Sequence, residues 1–294
     1  MACSDCRARA ALIAALAPAI SRTALSRRRL LALLALPDGQ LLRAAEVERP
    51  RSRPLESAPP SVRVPTALCA HEPDYPQALR QLDCAPAVLH ATCTAERLGE
   101  LLAKPVIAIV GNPAPSEYAH KMATMLAREL VSAGVTLIGG ANGLQAIVHH
   151  VALDAGGHTI GVMGLGAEQP YPDHDIPLHQ RIITQGAAIS EFPPGFSETQ
   201  QWCFTASQRI IAALAELVVV IEAPQRSSAL FIAHLASDLG RELAVVPGRV
   251  TDAGGPGMFG LLRDGAFPVS CAKDVLELIP MVHTTEHRAQ RIAA

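Results

Sequence analysis

The sequence predicts an α/β protein: a doubly wound, mostly parallel sheet preceded by a small helical N-terminal domain. Three observations predict it. Short, fully apolar runs recur at Val106–Val110, Val135–Ile138, Thr159–Met163, Ala187–Ser190, Leu217–Ile221 and Leu243–Val246. Helix-like stretches separate most of them, at Glu117–Ser132, Leu144–Ala155, Pro177–Thr184, Gln208–Leu214 and Ser228–Leu239. The chain of 294 residues is 49% apolar and 18% charged, enough to build a sizeable core. Fully apolar strands that alternate with helices belong to a parallel sheet covered on both faces.

The remaining elements follow in order. Residues 7–20 and 24–36 read as two helices, the second carrying Arg27-Arg28-Arg29, and the Pro37-Asp38-Gly39 turn ends it. A helical N-terminal domain is therefore expected over residues 1–48. Residues 49–65 hold five prolines among Arg and Ser and read as a linker. Residues 66–282 form the main domain. It opens on a mixed segment to residue 104 with a short helix, and closes on a strand near Phe267–Ser270 and a helix at Lys273–Ile279. Residues 283–294 read as a polar tail.

Composition excludes several classes. The chain is too apolar and too weakly charged to be disordered. No apolar run reaches the roughly 18–20 residues that a membrane helix needs. Ala10–Ile20, behind Arg7 and Arg9, partly imitates a signal peptide but reads as a packed Ala/Leu helix. Aromatics are only 3%, so a broad base-stacking platform is not expected. The net charge of −2 hides a split: residues 1–63 carry 11 Arg against 5 acids, a net +6, and residues 64–294 carry −8. An acidic body is a poor generic partner for nucleic acid, so such binding would need a local basic patch or the N-terminal segment. Seven scattered cysteines suit a reduced, cytoplasmic chain. Cys3-x-x-Cys6 is half of a zinc-ribbon spacing, and Cys69 and His71 lie too far along to complete a signature. No metal site is expected.

In a doubly wound sheet, ligands bind outside the carboxyl ends of the strands. No loop there fits G-x-G-x-x-G or a P-loop, so neither a dinucleotide nor any other cofactor is expected. The best anion cradle is Gly139-Gly140-Ala141-Asn142-Gly143, where glycines admit a phosphate to free N–H groups at a helix start. The candidate phosphate contacts are Gly111, Ser116, Gly140, Asn142, Gly143, Arg209, Ser227 and Ser228. Each serine is equally a helix N-cap. Asp173-His174-Asp175 reads as a solvated loop, and the adjacent His149 and His150 diverge on a helix and cannot chelate one ion together. Glu191 and Glu222 end strands and could serve as acid and base, or hold loop N–H groups. No nucleophile elbow is present.

Taken in order, these motifs resemble the bacterial DNA-processing protein A family (DprA, also called Smf). The resemblance begins with Tyr75-Pro76-x-x-Leu79-Arg80-x-Leu82 and Pro86-Ala87-Val88-Leu89. It continues through Val106–Gly111 with Ser116 and Tyr118, then Gly134-Val135-Thr136, Gly140 and Gly143. Glu191-Phe192-Pro193-Pro194-Gly195, Arg209-Ile210-Ile211-Ala212 and Val218–Ala223 follow, with Ser227 and Leu230. It ends with Gly240-Arg241, Val246-Pro247-Gly248, Leu262, Gly265-Ala266 and Asp274-Val275-Leu276.

The resemblance covers about residues 74–280 and implies a Rossmann-like domain that binds single-stranded DNA. It further implies a role in natural transformation, help in loading a RecA-type recombinase, action as a homodimer, and no catalytic centre. Basic positions of the family are replaced here, as at Asn112-Pro113 and Phe204–Gln208, which predicts a weaker grip on phosphate. Two other readings of the same loops are a nucleotide-binding sensor and a phosphoribohydrolase-like enzyme using Glu191 or Glu222. The loop expected of that enzyme group is absent.

Overall fold

The computed structural model describes residues 2–23, 26–45, 64–170, 175–225, 227–249, 251–252 and 255–283. The N-terminal third holds α1 (Ser4–Ala15), α2 (Ala17–Thr23), α3 (Arg27–Leu34), α4 (Asp38–Ala44), β1 (Thr66–Leu68), β2 (Leu89–Ala91) and α5 (Ala95–Leu102). Then come β3 (Val106–Gly111), α6 (Glu117–Ser132), β4 (Thr136–Gly139), α7 (Gly143–Asp154), β5 (His158–Val162), α8 (Ile176–Gln185) and β6 (Ala187–Ser190). The last are α9 (Gln201–Leu214), β7 (Leu217–Ile221), α10 (Ser228–Asp238), β8 (Glu242–Val246), α11 (Gly255–Arg263), β9 (Phe267–Pro268) and α12 (Ala272–His283). The alternation of apolar strands and helices reads through from sequence to structure, and the fold is Rossmann-like α/β.

The chain divides into two compact units, residues 1–100 with 162–210, and residues 101–161 with 211–294. The second unit carries the parallel sheet in the order β5-β4-β3-β7-β8-β9. Its central strands are buried along their whole length, as Val-Ile-Ala-Ile-Val-Gly and Leu-Val-Val-Val-Ile should be with both faces covered. Helix α6 shows how the cover forms. Ser116 caps it, Glu117 sits in its first turn, and Ala119, Ala123, Leu126, Ala127 and Leu130 form one buried stripe. That stripe packs with Ile107, Ile109, Val219 and Ile221 of β3 and β7. Burying Leu126 and Leu130 contributes about 1.5–3 kcal/mol each.

The first unit pairs β1, β2 and β6 antiparallel. Its core joins the N-terminal helices to residues 192–206. Ile13, Leu16, Ile20, Leu30, Leu34 and Leu41 cluster with Phe192, Phe196, Trp202 and Ala206. The Phe192 and Phe196 rings stack at 4.5 Å, and the Trp202 indole N–H donates to the Ala17 carbonyl at 3.0 Å.

Several expectations need correction. Three short helices, α1 to α3, stand where two were expected over 7–36, and a fourth, α4, follows them. The backbone turns between Ala15 and Ala17, and Pro37, beyond the end of α3 at Leu34, stands at the N-cap of α4. The mixed stretch of residues 66–104 has the expected short helix, a 3-10 turn at Gln77–Gln81, and adds two strands and α5, and α9 begins at Gln201 rather than Gln208. Residues 46–48, most of the expected linker (residues 49–63), the loop residues 171–174 and the tail from 284 lie outside the described residues. Among the described residues no helix is long and apolar enough to cross a membrane.

Candidate functional site

In the second unit, β4 and β5 lie on one side of β3, and β7, β8 and β9 lie on the other. The winding therefore reverses between β3 and β7, and a ligand crevice belongs at the carboxyl ends of those two strands. Gly111 ends β3 there. A Cβ on it would stand 2.2 Å from the Ile221 carbonyl oxygen, so glycine alone lets the strand ends approach this closely. Gly143, at φ +54°, packs against the loop after β3: a Cβ on it would meet the backbone of Pro113 at 2.5–2.9 Å.

The helix N-termini at this face already hold partners from the chain itself. Glu222, the non-glycine residue at φ +55°, turns its carboxylate to accept the Ser116 N–H at 2.9 Å. The Ser116 hydroxyl accepts the Ala119 N–H at 3.1 Å, and the Ser227 hydroxyl accepts the Leu230 N–H at 3.2 Å. Both serines therefore act as N-caps. Gly140, in the expected cradle, donates its N–H to the Gln145 side-chain oxygen at 2.7 Å. Asn142 stands at the N-cap of α7 without a side-chain cap bond, and Ser228 is the half-buried first residue of α10.

Gly111, Ser116, Gly140, Asn142, Gly143, Ser227 and Ser228 thus lie at the ends of β3, β4 and β7, within one unit. Tyr118 belongs with them: its hydroxyl donates to the Pro247 carbonyl at 2.7 Å while the residue stays 44% exposed. Among the described residues this face is poor in free cations. Lys121 pairs with Glu117 at 2.7 Å, and Arg249, beyond β8, is exposed.

Arg209, expected as a phosphate contact, lies in the other unit with a side chain only 2% exposed. Its guanidinium grips Glu191 bidentately at 2.5 and 2.7 Å and donates to the carbonyls of Cys84 and Ala206. Burial opposes its charge, but the attraction and hydrogen bonding of Glu191, with smaller help from Cys84 and Tyr75, raise its pKa above the ordinary arginine value. Tyr75 is buried beside the pair and donates its hydroxyl to the Pro86 carbonyl at 2.8 Å. Tyr75, Glu191 and Arg209, drawn from three separate motifs, therefore meet in one buried cluster. Of the two residues weighed above as acid and base, Glu191 spends both carboxylate oxygens on Arg209 and Glu222 accepts the Ser116 N–H through one.

One group of residues escaped the sequence reading. Cys3, Cys6, Cys69 and His71 come together in the first unit, their ligand atoms all within 4.8 Å of one another. The expectation that Cys69 and His71 lie too far along the chain to join Cys3 and Cys6 is corrected. The available signal was a second short-spaced pair, Cys69-x-His71, directly after the strand-like Thr66–Leu68.

Fold and site together define a Rossmann-like α/β protein with closely approaching glycines and capped helix N-termini at its topological switch point. The chain belongs to the DNA recombination-mediator protein A family, whose pattern matches residues 66–280. It is 38% identical over 196 residues to a DNA processing protein DprA of Mycobacterium tuberculosis, covering 66% of this chain and 50% of that protein. It is 32% identical over 209 residues to DNA processing protein DprA of Bacillus subtilis, covering 70% and 68%. The chain thus spans about half the length of the mycobacterial relative. Among solved structures, DprA of Streptococcus pneumoniae superposes with a TM-score of 0.71 at 24% identity, covering 94% of this chain and 98% of that one. DNA processing protein A of Helicobacter pylori, described for its single-stranded DNA binding mode, superposes at 0.62 with 26% identity, covering 69% and 92%.

Proposed function

We propose that this chain is a single-stranded DNA-binding protein of DNA processing. Family membership over residues 66–280 is the observation that carries the reading. The H. pylori relative is described as binding single-stranded DNA, and the crevice at the ends of β3 and β7 is where such a fold places a ligand. Phosphate contacts fall to Ser116, Gly140, Asn142, Gly143, Ser227 and Ser228, in competition with Glu222 and Gln145. A separate source of attraction is the N-terminal helices, where Arg7, Arg28, Arg29 and Arg43 are exposed. By family resemblance the protein acts as a cytoplasmic homodimer that loads a RecA-type recombinase and performs no catalysis of its own.

The test is fluorescence anisotropy of a labelled oligo-dT at low and physiological salt, with duplex DNA as competitor. Binding near micromolar or tighter, weakening by about 0.7 in log K per tenfold rise in salt for each phosphate neutralised and resisting duplex, is the expected result. Absence of binding at low salt overturns it and turns attention to nucleotides as ligands of the crevice. Co-sedimentation with a recombinase filament tests the partner.

A further inference from the structure

We infer that Cys3, Cys6, Cys69 and His71 form a tetrahedral, structural zinc site that fastens the start of the chain to strand β1. The geometry comes first. His71 Nδ1 stands 3.5 Å from Cys3 Sγ, 3.6 Å from Cys6 Sγ and 3.7 Å from Cys69 Sγ. A neutral imidazole nitrogen has one lone pair or one hydrogen, so it makes one hydrogen bond and not three equal ones. A shared ion explains the equality. Zinc with Zn–S of about 2.3 Å and Zn–N of about 2.0–2.1 Å, at tetrahedral angles, sets each sulfur–nitrogen edge at about 3.6 Å. The observed edges lie within a tenth of an ångström of that value.

The chemistry of the donors agrees. Three thiolates and one imidazole are a soft, tetrahedral S/N set of the kind that selects zinc. Ligand atoms mutually within 4.8 Å enclose a single ion rather than a polynuclear cluster. Four protein ligands leave no open position, which makes the site structural and not catalytic.

The scaffold supplies the donors as two pairs from two elements. Cys3 is the N-cap of α1 and Cys6 lies in its first turn, where the Arg7 N–H donates to the Cys3 carbonyl at 3.1 Å. Cys69 and His71 come from the turn after β1, closed by the Glu72 N–H on the Cys69 carbonyl at 2.9 Å. The Ala2 N–H donates to the Ala67 carbonyl at 2.9 Å and holds the two pairs in register. Ala2, Ala10 and Val88 are buried around the cluster and give it an apolar shell. Zinc here ties α1 to the antiparallel edge of the first unit, so its binding energy is folding energy of that unit.

The experiment uses the full chain, purified under reducing conditions and dialysed without chelator. Elemental analysis should find zinc at one equivalent per chain. In competition with a chromophoric chelator, Cys3→Ser and His71→Ala should weaken zinc binding by more than about 100-fold, beyond the 10–100-fold that outer partners cost. Cys271→Ser, outside the cluster, should leave it unchanged. Cobalt(II) supplied to the wild type should give thiolate-to-cobalt charge transfer and intense tetrahedral d–d bands, a readout that needs no variant to fold. Substoichiometric zinc with only a weak octahedral cobalt spectrum overturns the proposal. So does a Cys3–Cys6 disulfide in freshly prepared protein, or zinc held by His71→Ala as tightly as by the wild type.

Discussion

At the residue scale, Glu191 and Arg209 form the pair whose loss should be felt most. Glu191→Gln leaves a guanidinium charged and buried with only carbonyls for company. Breaking such a pair from one side costs about 3–5 kcal/mol, read as a fall in the urea midpoint without a change in slope. Arg209→Met combined with Glu191→Leu should recover much of that loss, because the desolvation penalty vanishes with both charges. In the sequence Arg209 looks like any other cation of a phosphate-binding motif. Nothing local reveals that its partner ends β6 or that Cys84 closes the cage, so its burial was not legible. Glu222 is the converse case. Its position at a strand end and a role in holding loop N–H groups were legible, but its left-handed backbone and its particular partner, the Ser116 N–H, were not. Glu222→Gln keeps an acceptor for that N–H and removes a negative charge from the N-terminus of α6. It should tighten oligo-dT binding by about two- to ten-fold at low salt, with the gain shrinking as salt rises. An unchanged affinity would place the phosphates away from this helix end.

At the element scale, the most legible parts were the strands buried on both faces and the long capped helices between them. β3, β7 and α6 appear within a residue of their expected limits because periodicity, caps and burial agree there. The three-residue strands β1 and β2 did not announce themselves. They earn their pairing from neighbours distant in sequence, Thr66 with Ala91 and His90 with Ser190. α11 was hidden by Gly255, Gly257 and Gly260, poor helix formers, of which Gly257 allows close packing: a Cβ on it would meet the Ala223 carbonyl at 2.2 Å. The caps give a direct test. Ser116→Ala and Ser227→Ala each remove the acceptor of a first-turn N–H and should cost about 0.5–2 kcal/mol in chemical denaturation. Gly143→Ala should cost more than Ser227→Ala, since it adds a left-handed backbone penalty to a clash with Pro113.

At the scale of the whole molecule, buried histidines make the fold sensitive to acid: His90 and His179 in the first compact unit, where burial lowers the His179 pKa as well, and His149 in the second. His90 lies on β2, where burial holds its pKa down to about 4. His149 lies on α7, where burial again lowers it to about 4, partly opposed by the backbone of Gly139 and Gly140. Its neighbour defines its tautomer: Thr159 donates its hydroxyl to the Leu137 carbonyl at 2.9 Å, so at 2.6 Å it receives the Nδ1–H of His149. The sequence showed only that His149 and His150 diverge; that the first is sealed in the core follows from the register of β4 and β5 beneath the helix. An unfolded histidine titrates near 6.5. Between about pH 6.5 and 4 the unfolded chain therefore binds protons that the native chain refuses, and stability rises with pH across that window. Above pH 6.5 the contribution is fully present; as pH falls it is lost, at up to about 1.4 kcal/mol per unit for each histidine. Urea titrations from pH 7.5 to 4.5 should show the midpoint steady above 6.5 and falling below it. His149→Gln, which keeps a donor for Thr159 but cannot take a proton, should flatten that fall even where it lowers the midpoint at neutral pH. A slope unchanged by the substitution would mean that His149 is protonated within the fold, in conflict with its burial beneath the Gly139–Gly143 loop.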